Sequence, residues 1–272
     1  MGPKEKQNKL FAAIEAFGSC MVAFSGGLDS TFLLWAARKT LAERVVAATL
    51  ATPYTPGWEL RDAKQTAREL GVEHLLITVP EVPEEIRLNP ENRCYLCKKR
   101  LFRLIAEEAA MRGMHHIIDG TNADDAGDYR PGLRALHELN VKSPLLECGI
   151  TKEDIRLLSR DAGLPAWQKA PCACLLTRIP HGREIMQDEL VRIELSEQYL
   201  RNRGFAAVRV RSHGDLARIE LSRQDTKRVF VEDHADEISH ALQGFGYRYV
   251  SMELSGYRTG SMNRKPDDGG KE

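Results

Sequence analysis

Between positions 20 and 119 the sequence alternates two patterns, and this alternation restricts the fold more than any other feature. Apolar runs of strand length, at 20–25, 45–50, 74–79 and 115–119, are separated by segments at 31–41, 60–70 and 97–111 that carry helix formers with apolar residues at helical spacing. Strands that alternate with helices build a parallel sheet covered on both faces, because each connection must return across the sheet through a helix. The predicted class is therefore α/β. In such sheets ligands gather at the carboxyl ends of strands, where loops turn into helices. "FSGGLDS" at 24–30 and "IIDGTNADD" at 117–125 occupy such ends.

Further along, "GITKEDIRLLSRDAGLP" predicts a helix capped by Thr151 and Asp154 and ended by Gly163 and Pro165. The prolines, glycine and cysteines of "AWQKAPCACLLTRIPHG" then argue against regular structure, and the domain boundary is placed just beyond them. This gives a first domain over 1–183 and a small α+β domain over 184–262. The second domain is read as a helix at 188–203, strands at 206–211 and 216–221 around a turn at 213–215, a helix at 224–242 and a strand at 247–254. The polar, glycine-rich stretch 263–272 is predicted to be disordered.

Lys and Arg (39) balance Asp and Glu (39), so the formal net charge is +0 and the basic excess of a general nucleic-acid binder is missing. No apolar segment is long enough to span a bilayer and the N-terminus lacks a secretory pattern, so a cytoplasmic protein with no membrane partner is expected. In a reducing compartment Cys20, Cys94, Cys97, Cys148, Cys172 and Cys174 point to metal or sulfur chemistry before disulfides. Cys20 and Cys148 lie in apolar surroundings and read as buried small hydrophobes.

The loop at 25–30 places small residues between a buried strand and a helix start, where backbone N–H groups and the helix dipole form an anion cradle. It has neither the lysine of a Walker A loop nor the third glycine of a dinucleotide fingerprint. The plain alternative is a tight turn with Asp29 or Ser30 as N-cap. "SGGLDS" after "VAF" resembles the PP-loop of N-type ATP pyrophosphatases, which cut ATP between the α and β phosphates and transfer AMP. That resemblance implies that Ser25, Gly26, Gly27, Asp29 and Ser30 hold the β and γ phosphates, with Asp29 near Mg²⁺. In the second loop Gly120 permits close approach of the backbone to a ligand, while Asp124 and Asp125 suit either water-mediated Mg²⁺ binding or a solvated acidic turn. In PP-loop enzymes this strand end faces the same nucleotide, which implicates Gly120 and Thr121. By position alone, Lys98 reaches the ATP phosphates.

"CYLC" sets Cys94 and Cys97 at a helix start, a spacing that lets both thiolates reach one metal. With Cys172 and Cys174 they suit a zinc knuckle. A three-cysteine iron–sulfur cluster with one open iron, and a cysteine that is itself the sulfur donor, are the alternatives. In "VRVRSHGDLARIEL", Arg209 and Arg211 share one strand face while Val208 and Val210 take the other. Two adjacent guanidinium groups suit a phosphate or carboxylate, and equally a solvated face paired with Glu220. Arg178, beside the cysteines, reads as a third anion ligand or a loop salt bridge.

Together "VAFSGGLDST", "DGTNADDAGDYRPGLRA", "CACLLTRIPHG", "VRVRSHGDLARIEL" and "SGYRTGSMN" resemble the LarE sulfur transferases of nickel-pincer nucleotide biosynthesis, the cofactor of lactate racemase. The resemblance implies a PP-loop ATP pyrophosphatase domain, adenine nucleotide alpha hydrolase-like, with a smaller C-terminal α+β domain. It implies ATP-dependent adenylation of the carboxylates of pyridinium-3,5-biscarboxylic acid mononucleotide and their conversion to thiocarboxylates. It further implies Thr177, Arg178, Arg209 and Arg211 at the substrate phosphate, with Glu197 nearby, and an oligomer built from trimers. Two sulfur sources occur in such proteins, a sacrificial cysteine and a sulfide on a [4Fe–4S] cluster replenished by a sulfide donor. Cys94, Cys97 and Cys174 match the cluster pattern, and Cys172 departs from it as a fourth ligand, a spare thiol or the donor. The rival readings are a PP-loop tRNA thiolation enzyme, which should add a basic RNA-binding module, and a non-catalytic ATP-binding protein with structural zinc.

Overall fold

The computed structural model describes residues 1–127, 131–169 and 173–258. Cys172, residues 259–263 of "SGYRTGSMN" and the expected disordered tail lie outside them. The chain divides into two compact units, Met1–Ile86 with Glu91–Cys172, and Arg87–Pro90 with Ala173–Glu272. The division comes earlier than the boundary expected after residue 183, because the 3-10 turn Leu175–Arg178 packs on a helix and a strand of the second unit.

In the first unit the order is α1 (Pro3–Glu15), β1 (Cys20–Ala23), α2 (Leu28–Leu41), β2 (Val45–Ala51), α3 (Gly57–Glu69), β3 (Glu73–Thr78), α4 (Arg93–Met111), β4 (Ile117–Ile118), α5 (Pro131–Glu138), α6 (Pro144–Glu147) and α7 (Lys152–Asp161). Its strands form a wholly parallel sheet in the order β3-β2-β1-β4, with Met21 opposite both Val46 and Ile117. Met21, Val46 and Ala48 project to one face and pack with Phe102, Ile105 and Ala109 of α4. Val22, Val45 and Ala47 project to the other, against Phe32 and Leu33 of α2, Ala63 of α3 and Ile155 of α7. Covering both faces is what makes these strands read as continuous apolar runs.

Helix α1 was not legible in the sequence because its stripe is thin, with Leu10 and Ile14 as its buried hydrophobics. Lys6 Nζ ties it to Asp154 Oδ2 of α7 at 2.6 Å. At the start of α7, Thr151 Oγ1 accepts from Asp154 N (3.2 Å) while Asp154 Oδ2 accepts from Thr151 N (3.0 Å), the reciprocal cap its sequence announces.

The second unit contains α8 (Gln187–Asn202), β5 (Arg209–His213), β6 (Leu216–Glu220), α9 (Arg223–Val231), α10 (Ala235–Gly244) and β7 (Tyr249–Met252). β5 and β6 form the expected antiparallel hairpin, and β7 lies parallel to β6 on its other side. The single helix expected at 224–242 is two, because Asp233 adopts φ +55°, a left-handed conformation that an α-helix cannot continue through. The helix pair carries the chain back across the sheet, as a parallel pairing requires. Leu200, Phe205, Val208, Val210, Ile219 and Leu242 form this unit's core.

Burial acts to raise the Asp154 pKa, but Lys6 and Thr151 outweigh it and hold the carboxyl below its ordinary value of 3.8. A folded pKa below the unfolded one gives stabilisation that is present above the ordinary value and lost as pH falls through the folded one. Asp154→Ala should therefore cost about 1–2 kcal/mol at neutral pH. Urea midpoints measured across a pH series should show the gap to wild type closing below about pH 4.

Candidate active site

At the carboxyl end of β1, Thr49 Oγ1 of β2 donates to the Phe24 carbonyl (2.6 Å) and shares a 2.8 Å bond with His74 Nε2 of β3. Because the Thr49 proton is committed to Phe24, His74 Nε2 is the donor in that bond. Burial lowers the His74 pKa, with Lys64 acting in the same direction. These residues anchor the root of the glycine loop, and nothing in the periodicity of their strands marks them out.

Gly26 then turns the chain at φ +73°, and a Cβ there would stand 3.0 Å from Ala63 Cα. Gly27 is the N-cap of α2, and no side chain caps the helix. The alternative in which Asp29 or Ser30 caps it is thus corrected. Both residues lie inside the helix, and Ser30 Oγ instead donates to Gly27 O (3.3 Å) and meets Ser25 Oγ (3.1 Å). Helix N–H groups left without a side-chain cap, reinforced by the helix dipole, are an anion site.

Asp29 sits in the first turn of α2. Its Oδ1 is buried without a hydrogen-bond partner, and its Oδ2 lies 3.7 Å from Lys152 Nζ. Burial raises its pKa, Lys152 opposes that rise and the charge of Asp125 adds to it. A carboxylate in this state favours a further cation beside it.

After β4 the second loop folds against the first. The close approach that Gly120 permits is to protein backbone, since a Cβ there would stand 2.9 Å from Ser30 N. Asp119 accepts from Thr121 Oγ1 and Ser143 Oγ, each at 2.6 Å. Asp125 Oδ2 accepts from Asn122 N (3.1 Å), and Asp124 Oδ2 from Lys152 N (2.8 Å) at the start of α7. One helical turn along, Arg156 donates to the carbonyls of Trp167 and Lys169. Lys169 Nζ donates to the Gly26 carbonyl at 3.0 Å and pairs with Asp62 at 3.1 Å. Lys152, Arg156 and Lys169 carry no motif, and only the fold brings them to the loop.

Cys94 is exposed at the start of α4, and Cys97, half-buried one turn later, lies 3.2 Å from the Tyr54 hydroxyl. Beside them the Lys98 ammonium lies 5.8 Å from the Phe102 ring, and its stem fills the space beside Gly132. Cys20 is wholly buried and its pKa is pushed up to about 12, while burial also raises that of Cys148. A raised pKa favours the protonated thiol at both, and Cys148 is half-buried where the sequence reading had it buried. Among the described residues no three His, Cys, Asp or Glu side chains are grouped to hold a metal.

In the second unit Arg178 is buried. Its Nε and Nη2 pair with both oxygens of buried Glu197 at 2.8 and 2.9 Å. Its Nη1 donates to Ala173 O (2.9 Å), Cys174 O (3.2 Å) and Thr177 Oγ1 (2.7 Å). Glu197 Oε1 also accepts from Val210 N (2.9 Å), so one ion pair ties the Cys174 segment to α8 and β5. Arg211 pairs with buried Glu220 (2.7 Å) and donates to Thr177 O (2.8 Å), while Arg209 lies over the Tyr257 ring at 5.2 Å. The arginine face expected from strand alternation is there, but it is buried and internally paired.

Residues 12–125 match the asparagine synthase family. An uncharacterized protein of Synechocystis sp. is 38% identical over 262 residues, covering 95% of this chain and 98% of the relative. Pyridinium-3,5-bisthiocarboxylic acid mononucleotide synthase of Lactiplantibacillus plantarum is 35% identical over 260 residues, covering 95% and 94%. An uncharacterized protein of Methanocaldococcus jannaschii is 34% identical over 239 residues, covering 88% and 90%.

Gly26→Ala should weaken nucleotide binding at least about tenfold and cost about 1–3 kcal/mol, because it strains a left-handed residue against α3. Gly27→Ala, whose Cβ would meet only Ser25 Oγ at 3.4 Å, should leave the melting temperature near wild type. Glu197→Gln should cost about 3–5 kcal/mol in denaturant titration, because it strands the buried Arg178 charge.

Proposed function

Because the chain belongs to the LarE family of ATP-dependent sulfur transferases, we propose that it uses ATP to adenylate the carboxylates of pyridinium-3,5-biscarboxylic acid mononucleotide and converts them to thiocarboxylates. The observation that carries this reading in the structure is the uncapped start of α2 behind a left-handed Gly26. N–H donors there suit the β and γ phosphates of ATP and leave the α phosphorus for attack. A carboxylate is a poor electrophile until one oxygen belongs to a good leaving group. In the proposed step a substrate carboxylate oxygen bonds to the α phosphorus, the α–β bridging bond breaks, and its electron pair leaves with pyrophosphate. The product is an acyl-adenylate, whose AMP is displaced by sulfur.

The open buried oxygen of Asp29 fits Mg²⁺ beside the phosphates, whereas Asp124 is held by the start of α7 and suits a water-mediated contact. In the second unit our reading puts Thr177 and Arg209 at the phosphate of the substrate, with Arg211, buried and paired with Glu220, holding the Thr177 segment from behind. The burial of Arg178 and its bonds to the Cys174 segment support a positioning role in place of the direct phosphate contact expected from the sequence.

For sulfur, Cys94 and Cys97 lie one helical turn apart, a donor pair that fits two ligands of one metal centre, and Cys174 would supply a third thiolate. When bound, a [4Fe–4S] cluster on three cysteines offers one open iron for sulfide. Tyr54 would then hold Cys97 through its hydroxyl. A sacrificial cysteine, Cys172 or Cys174, is the competing source. The reading includes a trimer-based oligomer, a sulfide donor and a cytoplasmic site of action, where thiols stay reduced.

Pyrophosphate should be released only when ATP and the dicarboxylate are both present, and its absence would overturn the adenylation. Anaerobically purified protein should carry iron and acid-labile sulfide. Iron-free protein that turns over once and loses about one sulfur in intact mass would instead establish the sacrificial route. Arg209→Ala should raise the KM for the dicarboxylate about tenfold or more and leave that for ATP unchanged, whereas Arg211→Ala should also lower stability, because it removes one of the two cations paired with buried Glu220.

A further inference from the structure

A phosphate loop without its own lysine leaves the charge on a departing pyrophosphate to backbone dipoles and any metal. The fold answers that deficit with two ammonium groups from outside the loop. Lys152, the first residue of α7, reaches Asp29, and Lys169 bonds the loop itself at the Gly26 carbonyl. Both side chains remain partly exposed, at 39% and 32%. An ammonium has three donors, and Gly26 O and Asp62 Oδ2 engage two of those on Lys169. A third donor on the ammonium suits a phosphate oxygen. Arg156 fixes the backbone at Lys169 through the Trp167 and Lys169 carbonyls, so the second ammonium is held in place by the helix that carries the first.

We propose that Lys152 and Lys169 bind the β and γ phosphates of ATP and take up the charge that develops on pyrophosphate as the α–β bond breaks. The inference rests on the adenylating function proposed above. The atoms balance as in that step: the bridging oxygen keeps the bonding pair and leaves on pyrophosphate, and both lysines stay protonated and unreacted. Asp29, Asp62, Asp124 and Asp125 outnumber the cations around the loop, which fits a polyanion that enters together with Mg²⁺. Arg156 acts through Lys169 and is a positioning residue.

The test is calorimetric titration of the full-length protein with magnesium pyrophosphate and, in parallel, with AMP. AMP lacks the two phosphates the lysines would hold. Lys152→Met and Lys169→Met keep the aliphatic stem and remove the charge. Each should lower pyrophosphate affinity about tenfold while AMP affinity and melting temperature stay near wild type. Lys152→Arg and Lys169→Arg should recover most of the loss. Unchanged pyrophosphate affinity in both Met variants would overturn the proposal, as would an equal loss for AMP, which marks a merely structural clamp. Wild-type protein that binds AMP and not pyrophosphate would instead bring down the adenylating function and this inference with it.

Discussion

A helix that starts without a side-chain cap, at the end of a strand buried on both faces, is the constraint on which the rest of this structure depends. The N–H groups at the start of α2 need an acceptor, and the surroundings hold them in place for one. β1 is the inner strand between β2 and β4, so its carboxyl end cannot drift. Thr49 and His74 fix the Phe24 carbonyl, Gly26 makes a turn open only to glycine, and Gly120 lets the second loop lie against Ser30. Each contact removes freedom from the cradle before a ligand arrives, and a preorganised donor set loses little on binding.

Charge is distributed around that cradle in pieces. Dipoles come from the helix, a carboxylate from Asp29, and ammonium groups from Lys152 and Lys169. The carboxylate is held partly against its preference by burial, which favours a cation beside it. Charged groups brought together from α2, α7 and the turn after it make this cluster a product of tertiary packing, where a Walker loop would have carried its lysine in the same segment.

The second unit solves a different problem. Arg178, Arg211, Glu197 and Glu220 are all buried, an arrangement that costs desolvation and is stable only when every charge is paired with good geometry. The bidentate Arg178–Glu197 pair meets that condition, and its remaining guanidinium nitrogen organises the carbonyls of Ala173 and Cys174. A cysteine in a segment free of long regular structure is thereby given a defined backbone.

Much of this was legible in the sequence. The alternation of strand and helix gave the parallel sheet, the Thr151 and Asp154 pair announced the start of α7, and "SGGLDS" marked the loop. The thin stripe of α1, the break at Asp233 and the parallel placement of β7 were not, because each is decided by packing partners distant in the chain. The same holds within the site. The sequence by itself determined where the glycine loop between β1 and α2 lies, since backbone demands within a few residues are written locally. Only the tertiary structure decided which charges meet there. Lys169 and Gly26 stand 143 positions apart, and whether an arginine binds a ligand or a buried glutamate depends on what the fold places opposite it.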